Sequence, residues 1–358
     1  MNIHEATEAY EAWLSRQTRL VRKDLRQKHS EMAGRAFPFL RATFYRWGQL
    51  WPDTCPELAR TPSVLAIGDL HLENFGTWRD SEGRLIWGVN DFDEACPMAY
   101  TNDLVRLAAS ARLAIMEKHL SCDPEEACDA VLEGYANGVH SGGRPFVLAE
   151  HNRWLGTLAR SKLRDPVRYW KKLDKIEKLP TPLPLPARQA LFEDLPATGL
   201  ECRIGHRLAG LGSLGRQRFT LLCDWCGGKI SRETKPLVAS AWLWARGELR
   251  SSKLWYADIT NQAVRVPDPF LKLRGNWVVR RLAPDCSRIE LADLPKEREE
   301  LRLLSAMGQE TANVHLGSSK TIPLVRRDLS GRKKGWLRKA SARMADATLR
   351  DWKEWRRG

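Results

Sequence analysis

Two short stretches carry side chains that could do chemistry. Residues 68–76 read GDLHLENFG, directly after the apolar run Val64-Leu65-Ala66-Ile67, and residues 90–94 read NDFDE. In the first, Asp69 and Asn74 stand five residues apart with His71 between them. A short loop with this spacing can aim a carboxylate at an acceptor hydroxyl and an amide carbonyl at a metal ion. Asp91, followed by Asp93, supplies the carboxylate oxygens that a hard cation such as magnesium prefers. Any one of these residues is more simply a solvated surface acid or amide. The two motifs together, after a buried strand, point to a site.

A third motif is Gly210-Leu-Gly212-Ser213-Leu-Gly215. G-x-G-x-x-G serves dinucleotide folds and phosphate-covering loops alike. Here it is followed by RQRFTLL, a strand pattern. A dinucleotide fold needs a helix N-terminus at that point. A loop between two strands that drapes over phosphates fits better. Lys235 follows Gly215 by twenty residues, in ISRETKPL, where a lysine on the next strand would clamp phosphates as a point charge. Lys229 is its rival, in the CGGK turn.

These motifs need elements to position them. Residues 4–50 read as helical, 63–92 as strands, with RDSEGR (79–84) as the turn of a hairpin. Asn102 or Asp103 is placed to cap a helix whose apolar stripe is Leu104, Leu107, Ala108, Ala111 and Ile115. More helix is expected to about Lys178. KLPTPLPLP (178–186) forces an extended chain and reads as a linker. Strand-like runs follow, RFTLLCDW and NWVVRRLA, and helix returns from Pro295 on. The expected division is a helical lobe (1–177), a linker (178–186), a strand-rich lobe (187–290), and helices rejoining the first lobe (291–358).

Lysine strand and glycine loop should precede the 69–74 loop in a kinase, yet here they come about 140 residues after it. MGQETANVHLGSS (307–319) reads as the helix that normally leads into such a loop, with His315 at its end. That order is what circular permutation produces, because a cleft depends on positions in space.

GDxHxxNFG, NDFDE, Asp103-Leu-x-Arg106-Leu-Ala-x-Ser110, G-x-G-S-x-G, the lysine strand and A-x-x-H, in this order, resemble the family called domain of unknown function 2252, placed in the protein-kinase-like superfamily. The resemblance runs from about Lys28 to Ser318 and is most specific in its first half. It implies an α+β, two-lobed, protein-kinase-like (aminoglycoside-phosphotransferase-like) fold, circularly permuted. It also implies Asp69 as catalytic base and Asn74 and Asp91 as metal ligands. Gly210, Gly212, Ser213 and Gly215 would cover the phosphates of ATP, and Lys235 would clamp them. Asp103 would brace the loop, with His71 and Asp93 in support. The implied activity is ATP- and Mg2+-dependent transfer to a hydroxyl acceptor. A pseudokinase and an AMP-transferring enzyme are the alternatives on the same fold. Pro236 departs from the family's glutamate, and Ile67 stands where small-molecule kinases have histidine. Glu248 is the candidate partner of Lys235.

Other chemistries have less behind them. Asp69-Leu-His71 could open a metallophosphoesterase site, but the remaining histidines fall in none of the motifs such a site needs. Cys223-Asp-Trp-Cys226 is a single CxxC, where structural zinc needs a second pair.

The chain of 358 residues is 43% apolar and 28% charged, enough for two lobes with a sizeable core. Its N-terminus lacks a basic-then-apolar leader, and no run approaches the roughly 18 apolar residues of a membrane span. A cytoplasmic location is therefore expected, and the eight cysteines are read as reduced thiols. The net charge is +14, and residues 326–358 hold twelve Lys or Arg against four Asp or Glu. This tail, with Leu337, Ala340, Met344 and Ala347 at helical spacing, could contact nucleic acid or another polyanion. The plainer expectation is a helix docked on the body by its tryptophans.

Overall fold

The computed structural model describes residues 1–158, 165–177, 179, 183–248, 253–286 and 299–358. Four helices open the chain: α1 (Ile3–Gln17), α2 (Arg22–Gly34), α3 (Ala36–Ala42) and α4 (Phe44–Thr54). Asn2 caps α1 reciprocally with Glu5, its side chain accepting from the Glu5 amide at 2.9 Å. Ile3, Ala6, Tyr10, Trp13 and Leu14 then form one buried stripe.

β1 (Ser63–Ala66) pairs antiparallel with β4 (Cys96–Ala99). Between them lies the expected hairpin, β2 (Phe75–Arg79) and β3 (Leu85–Val89), in register Phe75↔Val89. Asp80 closes its turn by accepting from the Glu82 and Arg84 amides. α5 (Tyr100–Met116) follows and is almost wholly buried. Its start corrects the expected cap. The helix begins at Tyr100, and Asn102 and Asp103 lie inside its first turn. Their side chains serve other elements instead: Asn102 Oδ1 accepts from Trp47 Nε1 at 2.9 Å, and Asp103 accepts from the Ile67 amide just past β1.

α6 (Pro124–Ser141), β5 (Phe146–Val147), α7 (Arg153–Leu158) and α8 (Pro166–Leu173) complete the first half. Part of the proline-rich stretch, residues 178 and 180–182, lies outside the described residues. Its last two residues already belong to α9 (Leu185–Phe192), since proline suits the first turn of a helix.

The second half is built on a five-stranded antiparallel sheet in the order β6-β7-β8-β10-β9: β6 (Cys202–His206), β7 (Phe219–Trp225), β8 (Gly228–Pro236), β9 (Lys272–Arg274) and β10 (Trp277–Leu282). The strand alternation sorts its two faces. Phe219, Leu221, Cys223, Trp277 and Val279 pack on Ala187, Ala190 and Leu191 of α9. Arg218, Glu233, Lys235 and Arg280 turn the other way. α10 (Ala241–Ala245) and α11 (Tyr256–Gln262) link β8 to β9.

The cysteine expectation is also corrected. Cys202 and Cys223 face each other across β6 and β7 and form a disulfide. The Cys223/Cys226 pair is therefore no zinc half-site. Proximity across the ladder, which a sequence does not display, selects the pair.

Pro295 and the 290/291 boundary lie outside the described residues. α12 (Glu299–His315), α13 (Ile322–Gly331) and α14 (Trp336–Trp355) end the chain. α12 lies against α6 so tightly that a Cβ on Gly134 would stand 1.8 Å from the Ser305 carbonyl oxygen. α14 buries Leu337, Ala340, Met344 and Ala347, so the tail is docked on the body. Trp355 stacks on His4. The whole is a mixed α+β structure of many helices and three small sheets among the described residues. No helix among them is long and apolar enough to cross a membrane.

Candidate functional site

The segment after β1 is held from below by one carboxylate. Asp103 accepts from the Ile67 amide at 2.7 Å and the Gly68 amide at 2.9 Å, and its Oδ2 also meets His315 Nε2 at 3.0 Å. Gly68 has φ +86°, and a Cβ there would lie 2.5 Å from the Glu94 carbonyl oxygen, so only glycine fits. The chain turns there and presents Asp69. Arg106, fully buried between the Phe44 and Trp47 rings, donates to Asp69 Oδ1 from Nε at 3.0 Å and from Nη2. Burial pushes the Asp69 carboxyl up to about 7, against the downward pull of Arg106.

His71 and Asn74 brace the next turn against each other. The His71 amide donates to Asn74 Oδ1 at 2.7 Å, and His71 Nδ1 accepts from the Glu73 amide. The Asn74 carbonyl accepts from the Asn90 amide at 2.9 Å. That bond follows from the β2–β3 register and sets Asn74 beside Asp91. The two motifs of the sequence are thus neighbours because a hairpin folds between them.

Lys235 arrives from β8. Its Nζ lies 2.6 Å from Asp93 and 3.2 Å from Asp91. Burial works to raise the Asp91 pKa, but Lys235, Arg280 and Arg218 together outweigh it and the carboxyl is held far below the usual range. Asp93 is raised, by burial and by the neighbouring Asp91 charge. The expected partner Glu248 makes no ion pair with Lys235; the two aspartates take that place. Lys229, the rival lysine, pairs with Asp174 at 2.6 Å instead.

The glycine motif joins β6 to β7. Leu211–Ser213 forms one 3-10 turn, with Gly210 at φ +74° before it. Leu211 and Leu214 are buried with Ile3, Met32, Phe39 and Ala42, which seats the turn on the N-terminal helices. A Cβ on Gly212 would stand 3.0 Å from Asp69 Oδ2. The loop's hydroxyl is pinned as well: Arg218 donates to Ser213 Oγ at 2.7 Å and to Glu233 at 2.5 Å. Glu233 also pairs with Arg207 and Arg280 at 2.7 and 2.8 Å, and burial is overcome to hold it well below the usual carboxylate range.

Asp69, His71, Asn74, Asp91 and Asp93 therefore line one cavity of ≈ 40 Å³ together with Gly210, Gly212 and Ser213. Lys235 reaches it through its aspartates, Asp103 stands behind it, and Gly215 turns at the loop's end. A second cavity of ≈ 350 Å³ adjoins it, sharing Glu73, Asn90 and Arg280. Its walls include Trp78, Phe92, Leu173, Ile176, Leu208 and Leu282. Among the described residues no three His, Cys, Asp or Glu side chains form a metal-binding group.

Sequence reading gave no role to Arg106, Arg216, Arg218, Glu233, Arg280 or Glu94. Glu94 accepts from Ser240 Oγ and the Ala241 amide, and meets Arg216 at 3.2 Å. A signal existed in the alternation Arg216-x-Arg218 after the last glycine and Glu233-x-Lys235 on one strand. Period two sends such pairs to one face.

Residues 19–166 match the model of a bacterial family described as "Uncharacterized protein conserved in bacteria (DUF2252)". The matched span holds Asp69, His71, Asn74, Asp91, Asp93 and Asp103, and ends before the five-stranded sheet. Comparisons with curated proteins and with solved structures give no match.

Proposed function

We propose that the chain is an ATP- and magnesium-dependent phosphotransferase with a circularly permuted, kinase-like arrangement, acting on a hydroxyl acceptor. One observation carries this reading. A loop with Asp69 and Asn74, a hairpin ending in Asp91, a glycine loop between two strands and a lysine on the next strand converge on one cleft from opposite halves of the chain.

The larger cavity, whose walls set Trp78, Phe92 and Leu173 beside Arg265 and Arg281, suits a nucleoside, and the smaller one suits the phosphates. The donor set fits the metal. Asp93 Oδ1 is buried without a hydrogen-bond partner beside Asp91, and Asn74 Oδ1 uses one of two lone pairs on the His71 amide. Asp91 and Asn74 would hold the ion, with triphosphate oxygens completing its shell, and it would neutralise charge on the phosphates. Asp69 accepts the acceptor's proton as that oxygen bonds to the γ-phosphorus. The bond from phosphorus to the β–γ bridging oxygen breaks, and ADP leaves. Arg106 fixes the Asp69 carboxylate through Oδ1 and leaves Oδ2 toward the cleft.

Permutation has its own support. His315 ends α12 against Asp103, and three residues later Ser318 Oγ accepts from the Leu65 amide of β1 at 2.8 Å. The chain leaving α12 thus runs beside the strand that leads into Asp69.

The test is isothermal titration of ATP with and without Mg2+, on wild type and Asp91→Ala. Mg2+-dependent binding that the variant loses is the expected result; absence of binding at millimolar ATP would overturn the reading. With binding in hand, release of ADP rather than pyrophosphate separates phosphoryl from AMP transfer.

A further inference from the structure

The docked tail leaves one part of itself open. Between α13, the start of α14 and the turn after α4 lies a groove of ≈ 880 Å³. Its floor is Leu58, Trp336 and Ala342. Six cations ring it, Arg327, Arg332, Lys333, Lys334, Lys339 and Arg343, against two carboxylates, Glu57 and Asp328. Both carboxylates are engaged: Asp328 pairs with Arg332 at 2.7 Å, and Glu57 pairs with Arg343. Arg327, Lys333, Lys334 and Lys339 are exposed and make no ion pair among the described residues. None of its lining residues lines the Asp69 cleft, and the proposed transfer reaction does not use it.

Four cations without ion-pair partners among the described residues repel one another on one surface. An anionic partner would offset this. The shape argues which one. A bilayer is met by a convex apolar face with cations beside it, whereas here Leu58, Trp336 and Ala342 line a groove together with six cations. The Arg332 guanidinium, one of these cations, lies 4.9 Å from the centre of the Trp336 ring, so two planar groups stand together among the cations. Cations that track a backbone, with planar groups on which bases stack, are the elements of single-strand recognition. We infer that this groove is a docking site for a single strand of nucleic acid, with phosphates on Lys333, Lys334, Lys339 and Arg327 and a base against the Trp336–Arg332 pair.

The test is fluorescence polarisation with labelled oligo(dT) and oligo(U) on the full chain across a salt series. Four phosphate contacts give a log–log salt slope of about −3, so affinity should fall roughly fifty-fold between about 50 and 200 mM salt. The triple variant Lys333→Glu, Lys334→Glu, Lys339→Glu alters only exposed side chains. It should abolish binding while leaving the melting temperature and nucleotide titration unchanged. Trp336→Leu keeps every charge; it should weaken binding on the order of tenfold with the salt slope intact. Absence of oligonucleotide binding at low salt would overturn the inference. So would binding that the triple variant retains, or equal affinity for a poly-glutamate peptide. Phosphatidylserine vesicles that sediment the protein when oligonucleotides do not bind would replace the strand by a membrane surface.

Discussion

Gly212 rests on Asp69: a Cβ on the glycine would stand 3.0 Å from Asp69 Oδ2 and 3.1 Å from the Arg41 carbonyl oxygen. The two residues are 143 apart in sequence. Both residues line the same cavity of ≈ 40 Å³. Gly212→Ala must push the loop off the carboxylate or shift Arg41. Turnover of ATP should fall at least tenfold, with little change in melting temperature. A variant with wild-type turnover would show that the glycine is there for another reason.

Asp69 itself makes two linked predictions. As a base it must be ionised, so turnover should climb with pH through about 7, where burial has pushed its carboxyl. Stability runs the other way. A carboxyl raised in the folded state stabilises fully below its unfolded value near 4, and that contribution is lost as pH rises through about 7. Asp69→Asn should therefore match wild type near pH 4 and exceed it near pH 8, by on the order of 2–4 kcal/mol, while losing turnover. Denaturant unfolding at both pH values checks this. A variant less stable near pH 8 would mean that the Arg106 pairing outweighs burial.

Lys235→Met leaves Asp93, buried to 8% exposure, with only Arg216 at 3.6 Å. Breaking a buried pair by removing one partner costs about 3 kcal/mol or more. The expected outcome is a lower melting temperature together with loss of ATP binding. Lys229→Met, on the half-buried Asp174 pair, serves as the control and should change neither by much.

Asp103→Ala orphans the buried Ile67 and Gly68 amides and His315 Nε2, while His315 Nδ1 keeps the Tyr135 hydroxyl. Each unsatisfied buried donor costs about 1–3 kcal/mol. Urea unfolding should report a loss of several kcal/mol. His315→Ala, which removes one partner and keeps the backbone bonds, should cost less. Equal losses would argue against the carboxylate as the organising group.

Reduction of Cys202–Cys223 opens a loop of 21 residues that spans the glycine turn. In the chain-entropy model such a link contributes about 3 kcal/mol. Thermal unfolding with and without reductant should show the difference, and Cys202→Ser should reproduce the reduced protein.

Much of the site was legible because its determinants are local. The spacing of Asp69 and Asn74, the turn chemistry of Asp80 to Arg84 and the strand pattern after Gly215 are set by neighbours in the chain. They gave the hairpin, the loop between two strands and the lysine on the next. The apolar stripe of α14 likewise foretold that the tail would dock. Long-range partners were not legible. Glu248 was sought for Lys235, yet the lysine lies against Asp91 and Asp93, more than 140 residues upstream. Asp103 resembled a helix cap, yet its carboxylate holds the turn that presents Asp69. The cysteines looked like free thiols until a strand register set two of them face to face.

The sequence by itself determined which acids, amides, glycines and lysines stand at which spacing, and which segments become strands or helices, because residue type, periodicity and turn preference act over a few bonds. Only the tertiary structure decided which charges meet. A buried charge takes whichever partner the packing brings within about 3 Å, since leaving it alone in a low dielectric costs several kcal/mol. Folding selected Lys235 for Asp91 and Asp93, Arg106 for Asp69, and Glu233 for three arginines.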